Sequence, residues 1–90
     1  MEPNELRTGL LVQHTTARGT DLYQVSTVYP QGAAMQWVYS RTGEDGYLPS
    51  RTSVVIFSSR DIERHLRPAS TRMANRFQEA LAGSRAGVGA

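Results

Sequence analysis

The chain has 90 residues, a formal net charge of +2 and no cysteine. A chain of this length is expected to form one modest hydrophobic core rather than two, and without thiols it has no disulfides, thiolate zinc sites or cysteine nucleophiles. So small a net charge is no argument by itself for a nucleic-acid partner.

The N-terminal residues are acidic and turn-forming, where a signal peptide needs a basic start followed by an apolar run. The longest apolar run, residues 54–57, is far shorter than the roughly twenty residues that cross a bilayer. These features predict a cytoplasmic protein without a membrane partner.

Four strands are predicted. The first spans residues 10–15, and the second spans 22–29, with Tyr23, Val25, Thr27 and Tyr29 on one face.

A turn at residues 30–32 joins the second strand to the third, residues 35–40, as an antiparallel hairpin. Alternation places Met35, Trp37 and Tyr39 on one side of that third strand. The fourth strand spans 52–57, after a turn at 42–46, and its consecutive apolar residues indicate burial on both faces.

Two helices follow the strands. Ser58 and Asp61 have the spacing of a capping box and predict a short helix that ends before Pro68. A second helix is predicted from near Ser70 to about residue 81, with Gly83 as its stop. Its apolar stripe consists of Met73, Phe77, Ala80 and Leu81.

The predicted fold class is α+β: a small antiparallel β-meander or a partly open SH3-like barrel of about four strands, followed by a short helix and a C-terminal amphipathic helix. Residues 1–83 are predicted to form the single domain. Residues 84–90 are small and have little to bury, which predicts a disordered tail.

An arginine group is the first candidate binding surface. All ten basic residues are arginine, and half of them lie close together near the predicted helices: Arg60, Arg64, Arg67, Arg72 and Arg76. The first three follow i, i+4, i+7 spacing and would share a helix face if the helix reaches Arg67, and the last two repeat i, i+4. Guanidinium groups bind phosphates and carboxylates, so this surface suits either a nucleic acid or an acidic protein.

Aromatic residues form the second candidate surface. They lie on the predicted hairpin and the loop after it: Tyr23, Tyr29, Trp37, Tyr39 and Tyr47. Core packing explains most of them, Trp37 included. Tyr47 follows a charged, glycine-containing turn and is the one predicted to be exposed for binding.

His14 and His65 are the side chains best suited to acid–base chemistry near neutral pH, with Asp61 and Arg64 as partners. They match no catalytic signature, and nothing in the local sequence brings them together. No residues have metal-ligand spacing, and there is no glycine-rich phosphate loop, so neither a metal nor a cofactor is predicted.

Three functions therefore stay open. The first is a non-enzymatic interaction module that binds a protein partner or a second copy of itself. The second is nucleic-acid binding by the arginine group with Tyr47. The third is a small histidine-dependent hydrolase or nuclease.

Overall fold

A computed structural model of the chain describes residues 1–49 and 53–89. Within them, six antiparallel strands form one sheet, and two α-helices accompany it. The strands are β1 (Leu11–Thr16), β2 (Gly19–Tyr29), β3 (Gly32–Thr42), β4 (Asp45–Tyr47), β5 (Val54–Ser58) and β6 (Arg67–Pro68). The helices are α1 (Ser59–His65) and α2 (Thr71–Gly89).

The sheet order is β4-β3-β2-β1-β6, and β5 pairs with β3. Strand β3 is long, so its C-terminal part pairs with β4 and its N-terminal part with β5. No pairing among the described strands closes the sheet, which confirms the α+β meander in its open form. The predicted strands correspond to β1, β2, β3 and β5; Thr52, the predicted start of the fourth, lies outside the described residues.

Two β-bulges change which side chains share a face. In the β2–β3 pairing, Val38 and Ser26 are each skipped, so each adds one residue to its strand. An added residue reverses the alternation beyond it. Met35 and Tyr39 consequently belong to different cores, and the prediction that they share a face is wrong.

Each face of the sheet has its own hydrophobic core, so the expectation of a single core is wrong. On the α1 face, the core contains Ile62 of the short helix, Leu66 just after it, and four strand residues: Val12, Val25, Ala33 and Met35. On the α2 face, Met73 and Phe77 pack against Leu22 and Tyr39. The predicted stripe of α2 is thus confirmed as the contact with the sheet.

Serine caps begin both helices. The Asp61 N–H donates to Ser58 Oγ at 3.2 Å, as the sequence predicts, and the Met73 N–H donates to Ser70 Oγ at 3.2 Å. Helix α1 ends before Pro68, also as predicted. The predicted stop at Gly83 is wrong, because its backbone is not in the positive-φ conformation of a glycine cap and α2 continues to Gly89. The division of the chain at residue 84 stays a prediction.

Candidate functional sites

The arginine group is divided between separate surfaces. Helix α1 ends at His65, and Leu66 has extended backbone angles, so Arg67 belongs to β6 rather than to a helix. The helix does not reach Arg67, so the condition for a common helix face of Arg60, Arg64 and Arg67 is not met.

Arg64 and Arg67 line one cleft, and the exposed Arg60 is not part of its lining.

That cleft, of about 380 Å³, is formed by β1, α1 and β6. Its lining consists of Gln13, His14, Thr15, Arg64, His65 and Arg67. The rings of His14 and His65 face the same space, with centroids 5.9 Å apart and planes inclined by 56°. The fold thus brings together two histidines that the sequence leaves apart. We call this the histidine–arginine cleft.

The pairing of β1 with β6 creates this cleft. Gln13 is opposite Arg67 and Val12 is opposite Pro68, which brings the end of α1 beside His14. A two-residue strand has almost no sequence pattern of its own. Pro68 was the available signal, since proline within a sheet is confined to edges and strand starts.

Arg72 and Arg76 lie on a different surface, the outer side of α2. They line a shallow depression together with Glu79, whose carboxylate offsets part of their charge. Arg72 is exposed and Arg76 is half-buried. These two arginines do not extend the histidine–arginine cleft.

Tyr47 is 52% exposed, as predicted. It lies on β4 with its ring edge-on to Trp37, at a centroid distance of 6.1 Å. Trp37 is only partly buried, and its indole N–H has no hydrogen-bond partner among residues 1–49 and 53–84. Tyr47 lies at neither arginine surface, so an aromatic–arginine site of the predicted kind is not assembled.

Three polar side chains, Asp21 and Tyr23 of β2 and Ser40 of β3, lie on neighbouring strands. The Ser40 hydroxyl donates to Asp21 Oδ1 at 2.7 Å, between β3 and β2. Burial raises the pKa of the Tyr23 phenol, and the negative charge of Asp21 raises it further. These contacts stabilise the sheet, and none of the three residues lines the histidine–arginine cleft.

Strand β5 departs most from the sequence-based prediction. The run of apolar residues predicts burial on both faces, but Val54 is 62% exposed and Ile56 is 74% exposed. Both lie on the α2 side of the sheet, because they pair with Gln36 and Ala34, the neighbours of the α1-face residue Met35. When every residue of a strand is apolar, the sequence does not show whether one face of the strand or both faces are buried.

Tyr29, 50% exposed, extends this apolar surface onto β2, because its partner Gly32 is on the same side of β3 as Ala34. We call Tyr29, Val54 and Ile56 the β5 patch. The sequence pattern missed Val54 and Ile56 as binding residues.

The described residues contain no group of three or more His, Asp or Glu side chains that could hold a metal ion. In the same part of the chain, no helix combines the length and apolar character that a membrane span requires. Compared with protein-family models, curated proteins and solved structures, the chain gives no match.

Proposed function

We propose that this chain is a small interaction module that self-associates by pairing the outer edge of β5 with the same edge of a second copy. The observation that carries the proposal is the exposure of Val54 and Ile56, the two most exposed large apolar side chains of residues 1–49 and 53–84. They lie on a strand that pairs, within those residues, only with β3. Exposed apolar edges of this kind are sites for pairing with another strand.

Two backbone hydrogen bonds fix which residues of β5 point toward β3. Trp37 N–H donates to the Ser53 carbonyl at 3.0 Å, and Ser59 N–H donates to the Gln31 carbonyl at 2.9 Å. Every second residue of an antiparallel strand directs its main-chain groups to the same neighbour. The residues between Ser53 and Ser59 that share this orientation are Val55 and Phe57.

Val54 and Ile56 therefore direct their N–H and C=O groups away from β3. Ser58 directs its N–H the same way, while its carbonyl belongs to the first turn of α1, as expected of a capping residue. Water or another strand must satisfy the outward groups. The same two residues that expose apolar side chains thus also offer backbone donors and acceptors.

A second copy is the occupant we propose, because an antiparallel strand is complementary to itself about a twofold axis. Two β5 strands paired in this way would form about four main-chain hydrogen bonds from Val54 and Ile56 and their symmetry mates. The sheets of both copies would become continuous. The two β5 patches would then adjoin on one side, where Tyr29 adds an aromatic anchor.

The arginine surfaces give the nucleic-acid alternative less support, since Arg64 and Arg67 are separated from Arg72 and Arg76. The hydrolase alternative has both histidines in one cleft, but no carboxylate is part of the lining. Both alternatives stay predictions.

Sedimentation velocity across roughly a hundredfold range of protein concentration tests the proposal. The wild-type chain should pass from monomer to dimer. Ile56→Lys should stay monomeric, because an outward lysine on an edge strand opposes pairing. Ile56→Pro should do the same, since it removes an outward N–H and leaves the bonds to β3 in place.

Val28→Lys is the matched control. Val28 is 42% exposed on β2, and its partner Ala33 belongs to the α1 face, so this lysine lies away from the β5 edge. Val28→Lys should dimerise like the wild type. A wild-type chain that is monomeric at every concentration, or an Ile56→Lys variant that still dimerises, would contradict the proposal.

A further inference from the structure

We propose that the histidine–arginine cleft binds the phosphate group of a small phosphate ester. This site is separate from the β5 edge, because the cleft is formed at the β1–β6 side of the sheet and β5 pairs with β3 on the opposite side. All six lining residues have polar side chains, and none is acidic. A polar, uniformly non-acidic lining selects an anionic ligand.

Neither arginine of the cleft forms an ion pair with an acidic side chain of residues 1–49 and 53–84. The only ion pair among the side chains of residues 1–49 and 53–84 joins Arg41 to Glu44, on the β3–β4 turn. Arg64 and Arg67 thus have no carboxylate partner among those residues. Two guanidinium groups on one cleft can each present paired N–H donors to phosphate oxygens.

The two histidines supply the remaining donors. Each imidazole has an N–H donor in either of its neutral forms and two when it is protonated. With ring centroids 5.9 Å apart and planes inclined rather than stacked, His14 and His65 can both donate to oxygens of one anion between them.

The Thr15 hydroxyl already shares a 3.1 Å hydrogen bond with Thr20, so we give it no role in binding the phosphate.

The end of α1 does not oppose an anion as strongly as a free helix terminus would. Carbonyl groups at a helix C-terminus carry partial negative charge. Here the Met1 ammonium donates to the Leu66 carbonyl at 2.7 Å and to the Ile62 carbonyl at 3.3 Å. These hydrogen bonds supply a donor to carbonyl groups at the end of α1, beside His65.

The size of the cleft favours a small ester over a polynucleotide. Its volume of about 380 Å³ is within the range of small-molecule sites. A nucleic-acid strand needs a track of cationic groups along its backbone. Arg72 and Arg76, which would have to continue such a track, line a separate depression on α2.

Isothermal titration calorimetry with inorganic phosphate, adenosine 5′-monophosphate and adenosine tests the inference. The two phosphates should bind the wild-type protein and the nucleoside should not. Arg64→Gln combined with Arg67→Gln should weaken binding at least about tenfold, as expected when charge-assisted hydrogen bonds are lost. His65→Gln should weaken it to a smaller extent.

Arg72→Gln combined with Arg76→Gln is the matched control, because it removes the same net charge from the outer side of α2. This control should bind adenosine 5′-monophosphate like the wild type. Absence of phosphate binding would overturn the inference, as would equal losses in the two double variants, which would indicate attraction by net charge alone.

Titration with a single-stranded oligonucleotide distinguishes a site for a small phosphate ester from a site for a nucleic-acid backbone. If it binds far more tightly than the mononucleotide and depends on Arg72 and Arg76 as well, the site is an extended nucleic-acid surface and the inference is wrong.

Ile56→Lys should bind adenosine 5′-monophosphate like the wild type while it fails to dimerise. Failure of self-association and failure of phosphate binding are therefore observed separately.

Discussion

The ring of Tyr39 lies directly against Gly46, so close that a Cβ atom at position 46 would overlap the phenol oxygen and the adjoining ring carbons. Tyr39 is only 4% exposed, and its ring packs beside that of Phe77 in the α2-face core. The ring cannot move aside without disturbing that core. Glycine at position 46 is thus a packing requirement of β4, even though its backbone angle is an ordinary one.

Gly46→Ala should consequently destabilise the protein by about 1–3 kcal/mol, the usual cost of overpacking a core. Gly83→Ala is the matched control, because nothing lies within 4 Å of a Cβ at that position of α2. The control should raise stability by roughly 0.5–1 kcal/mol through its better helix propensity. Urea denaturation of both variants measures the difference, and equal stability of the two would contradict the packing argument.

Local signals were sufficient to predict much of the fold. The hairpin of β2 and β3 follows from Pro30 and Gly32, and the start of α1 follows from the spacing of Ser58 and Asp61. Each of these features depends on residues a few positions apart. The open α+β meander could therefore be predicted from the sequence.

Features set by distant partners could not be predicted in this way. The bulge at Val38, which moves Tyr39 to the α2 face, depends on how β3 fits β2 and on which helix covers each face. The exposure of Ile56 depends on how much of the α2 side of the sheet is covered by distant parts of the chain. Neither the sequence of β5 nor that of β3 contains this information.

The candidate sites also combine features that nearby residues determine with features that distant residues determine. Arg64 and Arg67 were predicted as binding residues from their chemistry, but their cleft partner His14 is contributed by a strand far away in the sequence. The short β1–β6 pairing, not a motif, brings them together. The ability of these residues to bind an anion could be predicted from their residue types. Which residues lie together in the cleft could not, because that depends on how the strands are paired.

Ser58→Ala should destabilise the protein by about 0.5–2 kcal/mol, because it removes the acceptor for the Asp61 N–H at the start of α1. Ser58→Thr keeps the hydroxyl and should cost far less. Thermal denaturation measures both. A Ser58→Thr variant as unstable as Ser58→Ala would show that the serine acts through its small size rather than as a cap.

Tyr23→Phe should remove part of the loss of stability at alkaline pH. Burial, and then the charge of Asp21, raise the pKa of the Tyr23 phenol above its ordinary value of 10.0. From pH 10 up to the raised pKa, the unfolded chain has lost the phenol proton and the folded chain still holds it. The free energy of unfolding therefore falls as the pH rises through this interval.

Phenylalanine has no proton to lose, so Tyr23→Phe should lose less stability than the wild type between pH 9 and pH 11. Urea denaturation at these two pH values, each compared with the same protein at pH 8, measures the effect. Because Asp21 is the second cause of the shift, Asp21→Asn should reduce the alkaline loss without abolishing it. If Tyr23→Phe and the wild type lose equal stability, Tyr23 is not the group responsible for the alkaline loss.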